Sequence, residues 1–132
     1  MSGKVPVNSP QLVKGVATSS MAVKVPAGRG LLFVRGLVAS GPDGKATTDD
    51  FRAQARQIYE DLRALIAEVD ATLDDVVKVT NYLRDIKDLP TLQKIRGEFI
   101  PTNPPASTTV EISRLADDSL KLEIEAIVML PD

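Results

Sequence analysis

Between Phe51 and Val69, the apolar residues Phe51, Ala55, Ile58, Leu62, Leu65, Ile66 and Val69 recur at helical spacing. They make one apolar face over about five turns. The opposite face carries Arg52, Arg56, Glu60, Arg63 and Glu68, which reads as a solvated surface. A helix of this kind draws most of its stability from what covers its apolar stripe, so it demands a second layer. Thr48 or Asp49 is placed to cap it, and Asp49 and Asp50 suit the positive end of its dipole.

That second layer is written as alternation of period two. In "LKLEIEAIVML" (120–130), Leu122, Ile124, Ala126 and Val128 share one face, and Lys121, Glu123, Glu125 and Ile127 share the other. Residues 76–83 form a β-branched strand, and "TTVEIS" (108–113) alternates in the same way. "LLFVRGLVA" (31–39) is a buried strand in which Gly36 marks a bulge or a close backbone approach. "KVPVN" (4–8) and "SMAVKV" (20–25) are short strands, the first held at an edge by Pro6. Asp74 and Asp75 make a turn. A second helix runs from about 89 to 100, with Asp88 as its cap, Pro90 in its first turn and a stripe of Leu92, Ile95 and Phe99. Segments 9–19, 26–30, 40–46 and 101–107 read as loops and turns. The order β-β-β-α-β-α-β-β describes a single domain over residues 1–132, an α+β two-layer sandwich with both helices on one face of a mixed sheet. Leu31, Phe33, Val77, Val79 and Ile127 are candidates for the other sheet face, and an apolar face left open predicts a closed oligomer.

Composition narrows the chemistry. The chain has neither histidine nor cysteine. A Ser-His-Asp triad and a thiolate nucleophile are therefore excluded, and a zinc site is disfavoured. Catalysis would have to use carboxylates, hydroxyls, Lys, Arg, backbone groups or water. The net charge of −2, with three Phe, two Tyr and no Trp, argues against a nucleic-acid partner. There is no apolar run long enough to span a membrane and no apolar leader after the initial Met, which points to a cytoplasmic protein.

Five segments, in this order, resemble the reactive-intermediate deaminase (Rid) family, formerly called YjgF: "LLFVRG" (31–36), "AQARQIYEDLRALI" (53–66), "LDDVVKVTNYLRDIKDL" (73–89), "NPPASTTVEI" (103–112) and "LEIEAIVML" (122–130). The resemblance implies a chorismate-mutase-like fold and a homotrimer with a cleft at each subunit interface. It also implies hydrolysis of enamines and imines to a 2-oxo acid and ammonia, with no metal or organic cofactor. Such chemistry needs a guanidinium fork for the substrate carboxylate, an acceptor that orients water, and donors for developing charge.

Carried over residue by residue, the resemblance assigns the water-positioning role to Glu123. The family's cleft arginine falls at Ser107, where a hydroxyl cannot form a charged two-point clamp. Thr109 and Gly36 match cleft positions, and the family's aromatic residue falls near Ser19. Arg35 stands where the family has serine, which suggests that a guanidinium is returned from another strand. The alternative is an arginine that faces solvent or pairs a carboxylate across the trimer. Glu111, Glu123 and Glu125 have a similar bland reading, as salt-bridge partners of Lys78, Lys121 or Arg114. Three functions follow: an imine or enamine hydrolase acting on a small metabolite, a non-catalytic ligand-binding or regulatory trimer, and, least in keeping with the charge, a ribonuclease or translation inhibitor.

Overall fold

The computed structural model describes residues 3–13, 15 and 17–131. Eight main elements follow in chain order. These are β1 (Val5–Val7), β2 (Ala22–Lys24), β3 (Leu31–Leu37), α1 (Phe51–Ala67), β4 (Val76–Leu83), α2 (Leu89–Phe99), β5 (Ala106–Glu111) and β6 (Leu122–Met129). Strands β1 and β2 form a separate antiparallel pair, and the main sheet has the order β3-β6-β4-β5. Strand β6 is antiparallel to both β3 and β4, whereas β4 and β5 are parallel. Parallel neighbours need a crossover, and α2 is that crossover. The result is the expected α+β two-layer sandwich, with α1 and α2 over one face of a mixed sheet.

The core lies between these layers. Ile58, Leu62 and Ile66 of α1 and Leu92 and Ile95 of α2 meet Val79 and Leu83 of β4 and Leu122, Ile124, Ala126 and Val128 of β6. The alternation of β6 is as its sequence predicts, with Glu123, Glu125 and Ile127 on the other face and only partly buried. On the outer side of the helices, Arg56 of α1 pairs with Glu98 of α2 at 2.8 Å, and Arg63 with Glu60 at 2.9 Å. Both pairs are solvated and add at most about 1 kcal/mol each.

Several local expectations are corrected. The cap of α1 is Asp50, whose backbone is extended and whose carboxylate accepts from the Ala53 amide at 3.0 Å. Thr48, two residues earlier, instead accepts from the Asp50 amide at 3.2 Å. Asp88 occupies the position before α2 but makes no capping bond, because the short 3₁₀ turn Ile86–Asp88 already gives it helical dihedrals. Strand β5 begins two residues earlier than predicted, since its parallel pairing starts at Lys78 opposite Ala106. Leu65 and Val69 are exposed at the flank and beyond the end of α1, while Gln54 and Tyr59 are buried.

The face of the sheet away from the helices is less apolar than expected. Val79 points into the core, and Val77 is the extra residue of a bulge between Val76 and Lys78. Phe33, at 73% exposure, is joined by Leu31 and Ile127, but Lys78, Thr80, Tyr82, Glu123 and Glu125 share that face. Among the described residues no helix is long and apolar enough to cross a membrane.

Ile124 is 2% exposed in the central strand beneath both helices. Replacing it with alanine should cost about 2–5 kcal/mol of unfolding free energy, whereas Phe33→Ala in the isolated subunit should cost far less. Urea denaturation followed by circular dichroism would give both values.

Candidate functional site

Two concavities hold most of the residues singled out by sequence, and they lie on opposite sides of the main sheet. The first is beneath the loop that enters β5. The left-handed backbone of Asn103 (φ 49°) turns the chain, and the Ser20 amide donates to the Pro105 carbonyl at 2.9 Å to tie down the far wall. The cavity has a volume of about 930 Å³ and is lined by Asn8, Ser9, Leu12, Ser19, Ser20, Met21, Asn103, Pro104 and Ser107, among others.

Ser107 is the polar centre of that wall. It faces the helices, and its Oγ accepts from Asn81 Nδ2 at 2.9 Å and from Arg96 Nη1 at 3.0 Å. Arg96 comes from α2 and is 1% exposed. Its Nε donates to the Thr18 carbonyl at 2.8 Å and its Nη2 to Thr18 Oγ1 at 3.1 Å. Gly97 makes this contact with the loop possible, since a Cβ there would come within 2.7 Å of Thr18 Cγ2. Asn81 is fully buried on β4 and also donates to the Thr108 carbonyl and to Thr109 Oγ1, both at 3.1 Å. A carbonyl only accepts, so the Thr108 contact fixes which way the Asn81 amide points. Burial lowers the pKa of Arg96, opposed by the neighbouring Tyr59. Burial likewise pushes the Tyr59 phenol up to about 12, with Arg96 pulling the other way. The Tyr59 hydroxyl and the Arg96 guanidinium are neighbours, and both charge and a side-chain hydrogen-bond contact between them favour the ionised arginine.

The second concavity is on the open face of the sheet. It has a volume of about 350 Å³ and is lined by Gly36, Tyr82, Ile112, Arg114, Leu115, Glu123 and Glu125. Strand β3 bulges here. Arg35 and Gly36 fall between the pairs Val34–Ala126 and Leu37–Ile124, opposite Glu125. A Cβ on Gly36 would lie 1.8 Å from Glu123 Oε2, so the carboxylate of Glu123 occupies the space that any side chain at 36 would need. Both expectations for Gly36, a bulge and a close approach, are met. The Tyr82 hydroxyl donates to Glu125 Oε1, and that bond raises the Tyr82 pKa. Along the same face, Glu125 also lines a smaller hollow of about 240 Å³ with Phe33, Lys78, Thr80 and Ile127. Burial lowers the pKa of Lys78 there, against the field of Glu125.

The chain therefore brings Ser107 and Ser19 together, and Glu123 and Gly36 together, but not the two pairs. Thr109 lies between them in sequence, partly buried, held by Asn81. Arg35 is exposed, lines none of the three concavities, and has no hydrogen-bond or ion-pair partner among the described residues. Sequence reasoning missed Arg96 and Asn81. Each carried a signal: Arg96 follows Ile95 one turn after Leu92, within the apolar stripe, and Asn81 stands between Val79 and Leu83 in the core register of β4.

Residues 14–130 match the family model described as Endoribonuclease L-PSP. A RutC family protein of Pyrococcus abyssi is 36% identical over 115 residues, covering 86% of this chain and 87% of that protein. The crystal structure of YyfB from Yersinia pestis, a protein of the conserved Rid family, superposes with a TM-score of 0.87 at 27% identity, over 97% of this chain and 99% of that one. The chain belongs to the Rid family. Among its Rid relatives, the 2-iminobutanoate/2-iminopropanoate deaminase of Salmonella typhimurium is 31% identical over 102 residues, 75% of this chain and 79% of the relative.

Gly36→Ala should force the Glu123 carboxylate out of its place while leaving the core intact. The expected signature is a loss of any activity that depends on Glu123 with a cooperative thermal transition retained, since one added methyl costs about 1–3 kcal/mol, or roughly 3–15 °C in melting temperature for a domain of this size. A parallel set of activity and thermal-melt measurements on the two proteins checks it.

Proposed function

We propose that this Rid protein hydrolyses the C=N bond of a small imine, or of an enamine through its imine tautomer, in clefts between the subunits of a homotrimer. Water adds to the imine carbon, the carbon–nitrogen bond breaks, and ammonia and a 2-oxo acid leave. Glu123 orients the attacking water and takes its proton. The observation that carries this reading is the Glu123 carboxylate held over Gly36 in a concavity that Tyr82 and Arg114 also line. The deaminase relative supports the reaction class.

The sheet supports a subunit cleft. Ser107 points to the helix side and Glu123 to the open side, so a single chain cannot present both to one ligand. The open face, with Phe33 at 73% exposure beside Leu31 and Ile127, gives a neighbouring subunit an apolar patch to cover. Within such a cleft Arg35, at the bulge of β3, would hold a substrate carboxylate from the Glu123 side. A second reading is a ligand-binding trimer without turnover, and it is favoured by one observation: Arg35 is exposed and unpaired among the described residues rather than set against Glu123. A ribonuclease, the activity in the family model's description, fits poorly with a net charge of −2 and no histidine.

Turnover of 2-iminobutanoate, generated in situ by a threonine dehydratase, tests the reading. The wild type should speed 2-oxobutanoate release over buffer, and Glu123→Gln should lower the rate by about a hundredfold or more, the scale for losing a general base. Arg35→Ala should raise KM more than it lowers kcat if Arg35 holds the carboxylate. A wild type that adds nothing over buffer leaves the non-catalytic trimer. Light scattering should give a mass near three times 14.2 kDa. A monomer at micromolar concentration would contradict a cleft built from two subunits.

A further inference from the structure

We propose that Lys78 is a covalent carbonyl-binding site: its amine condenses with a short, uncharged aldehyde in the hollow of about 240 Å³ on the open face of the sheet, forming a reversible imine. This goes beyond the hydrolase reading and does not rest on it, since neither Glu123 nor Ser107 lines that hollow.

The first observation is how the amine is held. Lys78 Nζ donates to Thr108 Oγ1 at 2.9 Å and to the Val79 carbonyl at 3.1 Å. Both acceptors are neutral, and no carboxylate among the described residues stands within ion-pair distance of it. A carboxylate at that distance would hold a lysine in its charged form. Two neutral acceptors match the two hydrogens of an uncharged amine and leave its lone pair unused. Burial acts in the same direction, lowering the pKa of Lys78 more than the field of Glu125 raises it. A lysine desolvated in this way is the kind that forms imines with carbonyl compounds.

The second observation is a proton carrier in the same hollow. The register of β4 and β6 sets Lys78 opposite Ile127 and Thr80 opposite Glu125. Lys78 and Glu125 are therefore diagonal neighbours on one face. The Tyr82 hydroxyl donates to Glu125 Oε1 and fixes the carboxylate. In the reaction the amine lone pair attacks the carbonyl carbon, and the π pair moves to oxygen. Glu125 carries a proton from nitrogen to that oxygen. The carbon–oxygen bond then breaks, and the nitrogen lone pair closes the C=N bond. Both amine hydrogens leave with the oxygen as one water, so no oxidant or reductant is needed.

The walls choose the carbonyl compound. Phe33 and Ile127 give apolar surface for a short carbon chain. Glu125 lies in the hollow, and the fields of Glu123 and Glu125 both reach the neighbouring Tyr82. An anionic oxo acid is repelled there, whereas an uncharged aldehyde is not.

The test is reductive trapping on the full-length protein in the assembly it forms in solution. Propanal is added with sodium cyanoborohydride, which reduces an imine to a stable amine, and adducts are located by peptide mass spectrometry. Lys78 should be labelled roughly tenfold or more ahead of the exposed Lys24, Lys45 and Lys87, within the about hundredfold that one positioned proton carrier supplies. Glyoxylate, an aldehyde that carries a carboxylate, should erase most of that preference. Glu125→Gln should slow labelling at Lys78 and leave the exposed lysines unchanged. Lys78→Arg keeps the charge and should remove the fast site, with a thermal melt to confirm folding. A wild type in which Lys78 is labelled no faster than the exposed lysines overturns the site, and that result needs no variant. Unchanged labelling in Glu125→Gln overturns the proton carrier, and an equal preference with glyoxylate overturns the assignment to uncharged aldehydes. Labelling at Lys78 without turnover of 2-iminobutanoate sinks the hydrolase and leaves the site standing. Turnover with no preference for Lys78 does the reverse.

Discussion

The two-residue period of β6 governs the rest of the molecule. It is the strand with a neighbour on both sides among the long antiparallel pairs, β3 on one and β4 on the other. Leu122, Ile124, Ala126 and Val128 lie under the helices, each at most 4% exposed. Anchoring those four forces Glu123, Glu125 and Ile127 onto the open face. A slip of one residue would bury two carboxylates and expose the core. The same packing that stabilises the domain thus sets where its carboxylates stand, and the bulge at Arg35 and Gly36 then clears the room that Glu123 fills.

The fold was legible in the sequence because it is carried by repetition. The stripes of α1 and α2 and the alternation of β4 and β6 each repeat one signal many times, so a local departure does not change the layer to which a segment belongs. Features that rest on single residues were less legible. The choice of Asp50 over Thr48 or Asp49 as the cap depends on one residue's dihedrals. The start of β5 depends on where Ala106 meets Lys78. The split of Val77 and Val79 between a bulge and the core depends on a register shift that no period reveals.

The candidate site divides along the same line. Gly36 was legible because a glycine within an apolar strand has few explanations, whereas Glu123 stood apart from Glu111 and Glu125 only through the resemblance to the Rid family. Arg96 and Asn81 were not, since a polar residue in a core register looks like an exception until its partners are known. Those partners come from four distant segments: Thr18 in the loop before β2, Asn81 on β4, Arg96 on α2 and Ser107 on β5. Only the folded chain brings them together.

Two arginines now compete for the charge that Ser107 cannot supply, and their surroundings separate them. Arg35 is exposed, so its charge is screened by solvent and its side chain must be ordered when a ligand binds. Arg96 is fixed by three hydrogen bonds before any ligand arrives, in surroundings where its field is weakly screened. Its reach is indirect, through the Ser107 hydroxyl that accepts from it. An exposed guanidinium gives two-point contact at an entropic cost, and a buried one gives a preset donor without contact. Arg35 stands at the bulge of β3 beside Gly36, and Arg96 lies on the helix side with Ser107, so the two guanidinium groups belong to different parts of the sheet.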